Sequence, residues 1–253
     1  MSQPVKTGAE LIEQIERTIS PTPVLWWLGR HGFILRFAHI TFYIDPHLSD
    51  DGAPLHPATI RHADLVLVTQ ADALDAPAVA QILEHSPSAK LVLPKSAADA
   101  AQRAGIPFNR MTTTDADLRI EYFKDNLYGR VYAIPSARPE LDWTPIRGYP
   151  YLGYLIRFGR WTVYHAGPSA PYEGLADRLR PFNVSVVLVP IGDDYFSIPA
   201  AADLACSVGA SWIVPIAAER RHENAFLNHM LGHRPEQQFK IFERAEKWTV
   251  PEE

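Results

Sequence analysis

The stretch DLVLVTQADALDAPAV, Asp64 to Val79, decides how the chain is read. Leu65 to Val68 form an unbroken apolar run, short enough for a strand buried on both faces. Thr69 to Asp75 turn polar. Ala76 to His85 then take up helical spacing, with Pro77 suited to a first helical turn. A buried strand that ends in a polar turn before a helix is where α/β proteins place their chemistry. This turn offers only Gln70, Asp72 and Asp75, a thin set of catalytic groups.

On the N-terminal side, Leu11, Ile12, Ile15 and Ile19 recur at helical spacing, and Ser20-Pro21-Thr22-Pro23 stops that helix. VLWWLG, GFILRF and ITFYID come next as strands, the last two separated by Ala38-His39, the spacing of a two-residue hairpin. In Trp26-Trp27 adjacent strand residues face opposite ways, so at least one belongs in the core. On the C-terminal side, KLVLP is another buried strand and SAADAAQRAG another helix, closed by Gly105. Met111 to Pro135 alternate in the manner of exposed antiparallel strands, with DLRIEYF and RVYAIP the clearest.

The second half repeats the first. YLIRFGRWTVYHAGP (Tyr154 to Pro168) echoes FILRFAHITFYIDP (Phe33 to Pro46): Arg-Phe, a two-residue turn, then x-Thr-x-Tyr. VSVVLVPIG, PAAADLACSVGA and SWIVPIA then echo DLVLVTQ, APAVAQILEH and KLVLP. Each half reads as a hairpin followed by strand, helix, strand. The expected fold is α/β (α+β), a four-layer αβ/βα sandwich of two mixed β-sheets flanked by helices. No linker separates the halves, so residues 1–253 read as a single domain with pseudo-repeated halves at about 24–110 and 145–217.

The net charge of −5, without a run of Lys or Arg, argues against nucleic acid and anionic membrane surfaces as partners. Cys206 is the one cysteine and sits in an apolar pattern, so a disulfide within the chain is excluded. The polar, amphipathic N-terminus does not read as a signal peptide, and no stretch reaches the length of a membrane span. A cytoplasmic location is expected.

WWLGRHGFILRF, FYIDPHLSD, ADLVLVTQADALDAP, GYPYLGYLIRFG, VYHAGPS, VLVPIGDDYF and SWIVPI, in this order from Val24 to Pro215, resemble the metallo-β-lactamase superfamily. The similarity is strongest to its branch containing L-ascorbate-6-phosphate lactonase. The resemblance implies the metallo-β-lactamase fold, which in that family carries zinc-dependent hydrolase chemistry, but it does not carry that zinc chemistry over to this chain. In that family the turn reads T-H-x-H-x-D-H-L-D; here it is Thr69 to Asp75, with Asp72 alone as a ligand candidate. Arg138 stands where the resemblance places a ligand His, Pro168 where it places a bridging Asp, and Ala217 where it places a last His. A zinc site needs several Cys, His or carboxylate ligands together, so no metal site and no cofactor are expected.

The candidate cleft or ligand-binding residues are therefore Asp72, Arg138, His165, Arg30, Asp45 and Asp194. His165 lies in the H-A-G word, where a structural hydrogen bond under the site is the plainer role. Asp45 and His47 come after a strand and face either a cleft or a turn. Asp194 sits after a buried strand and could instead cap a helix near Ile198. Arg30 and Arg138 carry fixed positive charge, which repels a divalent cation and suits carboxylates and phosphates. A small anionic ligand is the expected partner, and a homo-oligomer is compatible with the sequence. His229 and His233, at i, i+4 on a helix, read as solvated. Catalytic residues are not assigned.

The sequence supports three readings. The leading one is a degenerate metallo-β-lactamase-fold pseudoenzyme without its zinc centre, serving as a non-catalytic ligand-binding or regulatory protein. The alternative is a hydrolase of the lactonase-like branch, acting on a lactone or phosphorylated sugar with a relocated metal or a metal-free mechanism. The third is a structural subunit that assembles with an active homologue.

Overall fold

Alternation in the two echoing words produces two hairpins of the same register. In the first, Phe37 pairs with Ile40 and the ladder runs back to Phe33 opposite Ile44. In the second, Phe158 pairs with Trp161 and the ladder runs back to Tyr154 opposite His165. Each closes through two residues, the first at positive φ: 50° at Ala38 and 56° at Gly159, as tight hairpin turns require.

These hairpins belong to a computed structural model that describes residues 5–192, 197–217 and 219–252. The chain begins α1 (Gly8–Arg17), β1 (Val24–Gly29), β2 (Gly32–Phe37), β3 (Ile40–Ile44) and β4 (Leu65–Leu67). It continues α2 (Ala76–His85), β5 (Lys90–Pro94), α3 (Lys95–Arg103), β6 (Met111–Thr114), β7 (Arg119–Lys124) and β8 (Leu127–Pro135). Then come β9 (Leu152–Phe158), β10 (Trp161–His165), α4 (Leu175–Leu179), β11 (Val186–Pro190) and α5 (Ile198–Val208). The last elements are β12 (Trp212–Ile216), α6 (Arg220–His233), β13 (Gln238–Phe239) and β14 (Lys247–Thr249).

The chain forms two compact units, Met1–Thr114 with Phe242–Glu253, and Asp115–Ile241. Each holds one mixed seven-stranded sheet, ordered β14-β1-β2-β3-β4-β5-β6 in the first and β13-β12-β11-β10-β9-β8-β7 in the second. In the first sheet β1, β2 and β3 are antiparallel neighbours, and β4, β5 and β6 continue from β3 in parallel. In the second, β8, β9 and β10 are antiparallel, and β11, β12 and β13 continue in parallel.

The duplication reaches individual hydrogen bonds. Asp64 N–H donates to the Thr41 carbonyl at 2.9 Å, and Thr41 N–H returns a bond to Asp64 Oδ2 at 2.7 Å. In the second unit Ser185 N–H donates to the Thr162 carbonyl at 2.8 Å, and Thr162 N–H to Ser185 Oγ at 3.2 Å. In both units a polar side chain just ahead of the central strand satisfies the Thr N–H of the hairpin.

In the first unit α1, α2 and α3 bring Leu11, Ile15, Val79, Ile82, Ala97 and Ala101 against Trp26, Ile34, Tyr43, Val66 and Leu91. In the second, α4, α5 and α6 bring Leu179, Ala205, Phe226 and Met230 against Leu155, Tyr164, Val187 and Ile213. Trp26 is fully buried and its Nε1–H reaches Gln14 Oε1 at 3.0 Å, whereas the neighbouring Trp27 is half-buried. Arg36 donates to the carbonyls of Glu16 at 3.1 Å and Thr18 at 2.6 Å, joining the sheet to the end of α1, where cations are favoured.

One expectation about the strands is corrected. Met111 to Thr114 do not join β7 and β8 in an antiparallel set; β6 lies parallel to β5 in the first sheet. Only β7 and β8 form the antiparallel pair. Alternation shows that a strand is half exposed, not which neighbour it takes.

The Tyr164 hydroxyl is buried without a hydrogen-bond partner among the described residues. Such a hydroxyl costs about 1–3 kcal/mol. Tyr164→Phe is therefore expected to raise stability by about 1 kcal/mol, read as a higher urea midpoint at unchanged slope.

Candidate functional site

In a mixed sheet the loops at the C-terminal ends of parallel strands share one edge, where ligands of open α/β sheets bind. In the first unit β1 and β3 point the same way and β4 is parallel to β3. Their outgoing loops therefore bring Arg30, Asp45, His47 and Asp72 to one edge. In the second unit the ends of β8 and β10 bring Arg138 and His165 to the corresponding edge. Asp194 lies outside the described residues.

Asp45 is the most strongly constrained of these side chains. Its Oδ1 accepts from Thr69 N–H at 2.8 Å and its Oδ2 from the Thr69 hydroxyl at 2.7 Å. Burial pushes its carboxyl up to about 7, only partly offset by the two bonds from Thr69. Its backbone N–H donates to the Leu67 carbonyl at 2.8 Å, just as Ala166 N–H donates to Leu188 at 3.2 Å in the second unit. At that matched position the repeat carries a carboxylate in one half and a methyl in the other.

Asp75 has a different role from the one its place in the polar turn suggests. It caps α2 by accepting from Ala78 N–H at 3.2 Å. Its Oδ2 also accepts from the N–H groups of Leu48 and Ser49, both at 2.8 Å, and its Oδ1 from the Ser49 hydroxyl at 2.5 Å. Burial pushes this carboxyl up, but the bonds from Ser49, Ala78 and Leu48 outweigh it and hold the group below the usual carboxylate range. The carboxylate ties the loop after β3 to the helix after β4. Gln70 is buried, while Asp72 is exposed on a single 3-10 turn, Ala71–Ala73.

Arg30 occupies the turn between β1 and β2 at φ 48°, and its guanidinium pairs with Asp50 Oδ2 at 3.1 Å. The same carboxylate oxygen lies 3.0 Å from His47 Nε2, so Arg30, Asp50 and His47 form a chain along this edge. Asp50 is the member that sequence reasoning missed. Its signal was the D-P-H-L-S-D word, in which a His and an Asp lie three residues apart beyond a strand.

In the second unit His165 is buried, and its Nδ1 accepts from Gly167 N–H at 3.1 Å. This bond ties the end of β10 to the turn that follows it, and with Nδ1 accepting, a neutral ring carries its proton on Nε2. Arg138 is exposed; its N–H donates to the Glu140 carbonyl at 3.0 Å, and a cis peptide joins it to Pro139. α5 is capped by Ser197, whose hydroxyl accepts from Ala200 N–H at 3.4 Å. His229 and His233 stack on α6 with ring centroids 4.6 Å apart.

Zinc, which the fold family implies, needs several donors converging on one point. Among the described residues no group of three or more His, Cys, Asp or Glu side chains could hold a metal ion. Asp75 is engaged by four donors, so the turn's described side chains do not fit a zinc site. No helix of the described residues is long and apolar enough to cross a membrane.

The fold has known counterparts. A metallo-hydrolase from Ignicoccus hospitalis, Igni18, superposes with TM-score 0.70 at 19% identity, covering 92% of this chain and 100% of that one. The metallo-β-lactamase-fold protein YhfI from Bacillus subtilis superposes with TM-score 0.64 at 12% identity, over 89% of this chain and 99% of that one. A UPF0173 metal-dependent hydrolase from Myxococcus xanthus is 30% identical over 196 residues, 73% of this chain and 66% of that protein. No protein-family model matches the chain. The chain therefore has the metallo-β-lactamase fold, and over most of its length its sequence is similar to metal-dependent hydrolases.

These relatives overturn the expectation of a non-catalytic pseudoenzyme. The matching relatives from Myxococcus, Caldivirga, Methanosphaerula and Exiguobacterium are all named metal-dependent hydrolases. The expectation rested on missing donors in the Thr69–Asp75 turn and at Arg138, Pro168 and Ala217. Those report where a metal is held rather than whether the protein hydrolyses a bond.

The two buried carboxylates have opposite linkage to pH. Asp45, raised when folded, contributes stability that is complete below its unfolded value and lost as pH rises from about 4 to about 7. Asp75, lowered when folded, contributes stability that is present above its unfolded value and lost as pH falls through its folded one. Urea midpoints measured against pH should therefore lose the decline between about pH 4 and 7 in Asp45→Asn. Asp75→Ala should cost about 2–4 kcal/mol at neutral pH, because it removes a cap and leaves three loop donors unmet.

Proposed function

We propose that this protein is a hydrolase acting on a lactone or a phosphorylated sugar, as the lactonase-like branch of its superfamily does. The observation that carries this reading is the shared name of its curated relatives, metal-dependent hydrolase. Hydrolysis of a lactone releases a carboxylate and hydrolysis of a sugar phosphate releases phosphate. The exposed guanidinium of Arg138 suits either anion, because its planar donors match two oxygens at once. The described donors of the Thr69–Asp75 turn do not fit a zinc site, so the proposed chemistry uses a metal held elsewhere or none.

The test is to purify the protein without chelator, measure bound zinc, manganese and iron, and assay lactones and sugar phosphates with and without added metal. Turnover of at least one class is expected; for a phosphorylated substrate, which carries its anion before hydrolysis, Arg138→Ala is expected to raise KM about tenfold and leave kcat nearly unchanged, the mark of lost ground-state binding. Absence of turnover for both classes under every metal condition overturns the reading.

A further inference from the structure

The loop joining β8 to β9 carries three large apolar side chains in solvent: Leu141, Trp143 and Ile146, at 42%, 55% and 87% exposure. Single exposed apolar residues are ordinary, but one loop that exposes three within six positions is not. The loop leaves β8 at the strand-end edge that carries Arg138 and His165 and returns to β9 beside its own start. Ser136 N–H donates to the Tyr151 carbonyl at 3.0 Å, and Ala170 N–H to the Ala137 carbonyl at 2.8 Å.

Its tip is held in one shape. Thr144 and Gly148 exchange backbone bonds at 3.3 and 2.8 Å, and Arg147 N–H donates to the Thr144 hydroxyl at 3.1 Å. Tyr149 N–H donates to Asp115 Oδ1 at 3.0 Å. Gly148 has φ 63°, and a Cβ there would lie 1.9 Å from the Asp115 carboxylate, so only glycine lets the tip seat. A loop pinned in this way presents its apolar side chains without the ordering cost that a floppy loop meets on binding.

We propose that this loop binds the apolar part of an amphiphilic substrate whose anionic group is met by Arg138 on the same loop. The proposal deepens the hydrolase reading by naming the class of its substrate, and rests on that reading for calling the ligand a substrate. Size separates this occupant from a protein partner. Three partly exposed side chains offer on the order of 300 Å², well short of the roughly 800 Å² each partner gives to a stable protein interface. An alkyl or aryl group of several carbons covers a patch of that extent, and its burial between Trp143 and Ile146 removes apolar surface from water on both sides.

The test uses the full chain and two carboxylates differing only in tail length, butyrate and decanoate, with binding followed by calorimetry. The wild type is expected to bind decanoate at least tenfold more tightly than butyrate. The double variant Trp143→Ala/Ile146→Ser, altered only at exposed positions, is expected to lose that preference while keeping its butyrate affinity. Arg138→Ala is expected to weaken both ligands alike. A wild type indifferent to tail length, or a double variant that keeps the preference, overturns the proposal. So does a change of oligomeric state in the double variant by sedimentation, which would make the patch a contact between copies of this chain. Because binding is read without turnover, failure of the hydrolase reading appears separately, as tail-selective binding by a protein that hydrolyses nothing.

Discussion

The carboxylate of Asp45 is the constraint on which the first unit's strand-end edge depends. A buried carboxylate is tolerated only where donors replace the water it has lost. Here both donors come from Thr69, through its N–H and its hydroxyl. The end of β3 is thereby locked to the first residue of the turn after β4, and the path of that turn is set. The chain then makes one 3-10 turn and reaches Asp75, which fastens Leu48 and Ser49 to the start of α2. Two carboxylates thus hold one loop system from its two ends. Burial prevails at Asp45, and hydrogen bonding prevails at Asp75.

The two units show which parts of such a design can vary. Backbone donors and acceptors in a buried sheet must all be paired. The bonds that set the hairpins and central strands accordingly recur, with Asp64 and Ser185 performing the same service for Thr41 and Thr162. At the strand ends the ladder stops, and the side chain there decides the course of the loop. Asp45 in one unit and Ala166 in the other share a backbone bond and nothing else. The repeated scaffold tolerates different chemistry at its two edges because that chemistry lies beyond the last ladder bond.

Fold and function part company at the Thr69–Asp75 turn. A fold can host many chemistries, and the site has to be argued from its own side chains. In this turn the carboxylate nearest the helix is consumed in capping, and the glutamine is buried. The first unit instead lines up Arg30, Asp50 and His47 along its edge, and the second presents Arg138 on a pinned apolar loop. The sequence reading counted missing metal ligands in this turn and at Arg138, Pro168 and Ala217 and took them for missing activity, and the metal-dependent hydrolases among the relatives overturn that step.

What the sequence determined by itself was whatever depends on neighbours along the chain. Period-two alternation, two-residue spacings and apolar runs were enough to locate the hairpins, the buried strands β4, β5, β11 and β12, and the duplication that relates the two sheets. The same local logic placed α2 after the polar turn and Trp26 in the core. What only the tertiary structure decided were partnerships between distant segments. β14, from the C-terminus, pairs with β1, and β6 joins the first sheet rather than β7 and β8. Asp75 gives its oxygens to a loop 26 and 27 residues away, while Ser197 caps α5 from the adjacent position. Burial and hydrogen-bond saturation are set by what the folded chain brings near. No local pattern distinguishes a carboxylate free to do chemistry from one already spent in holding the fold together.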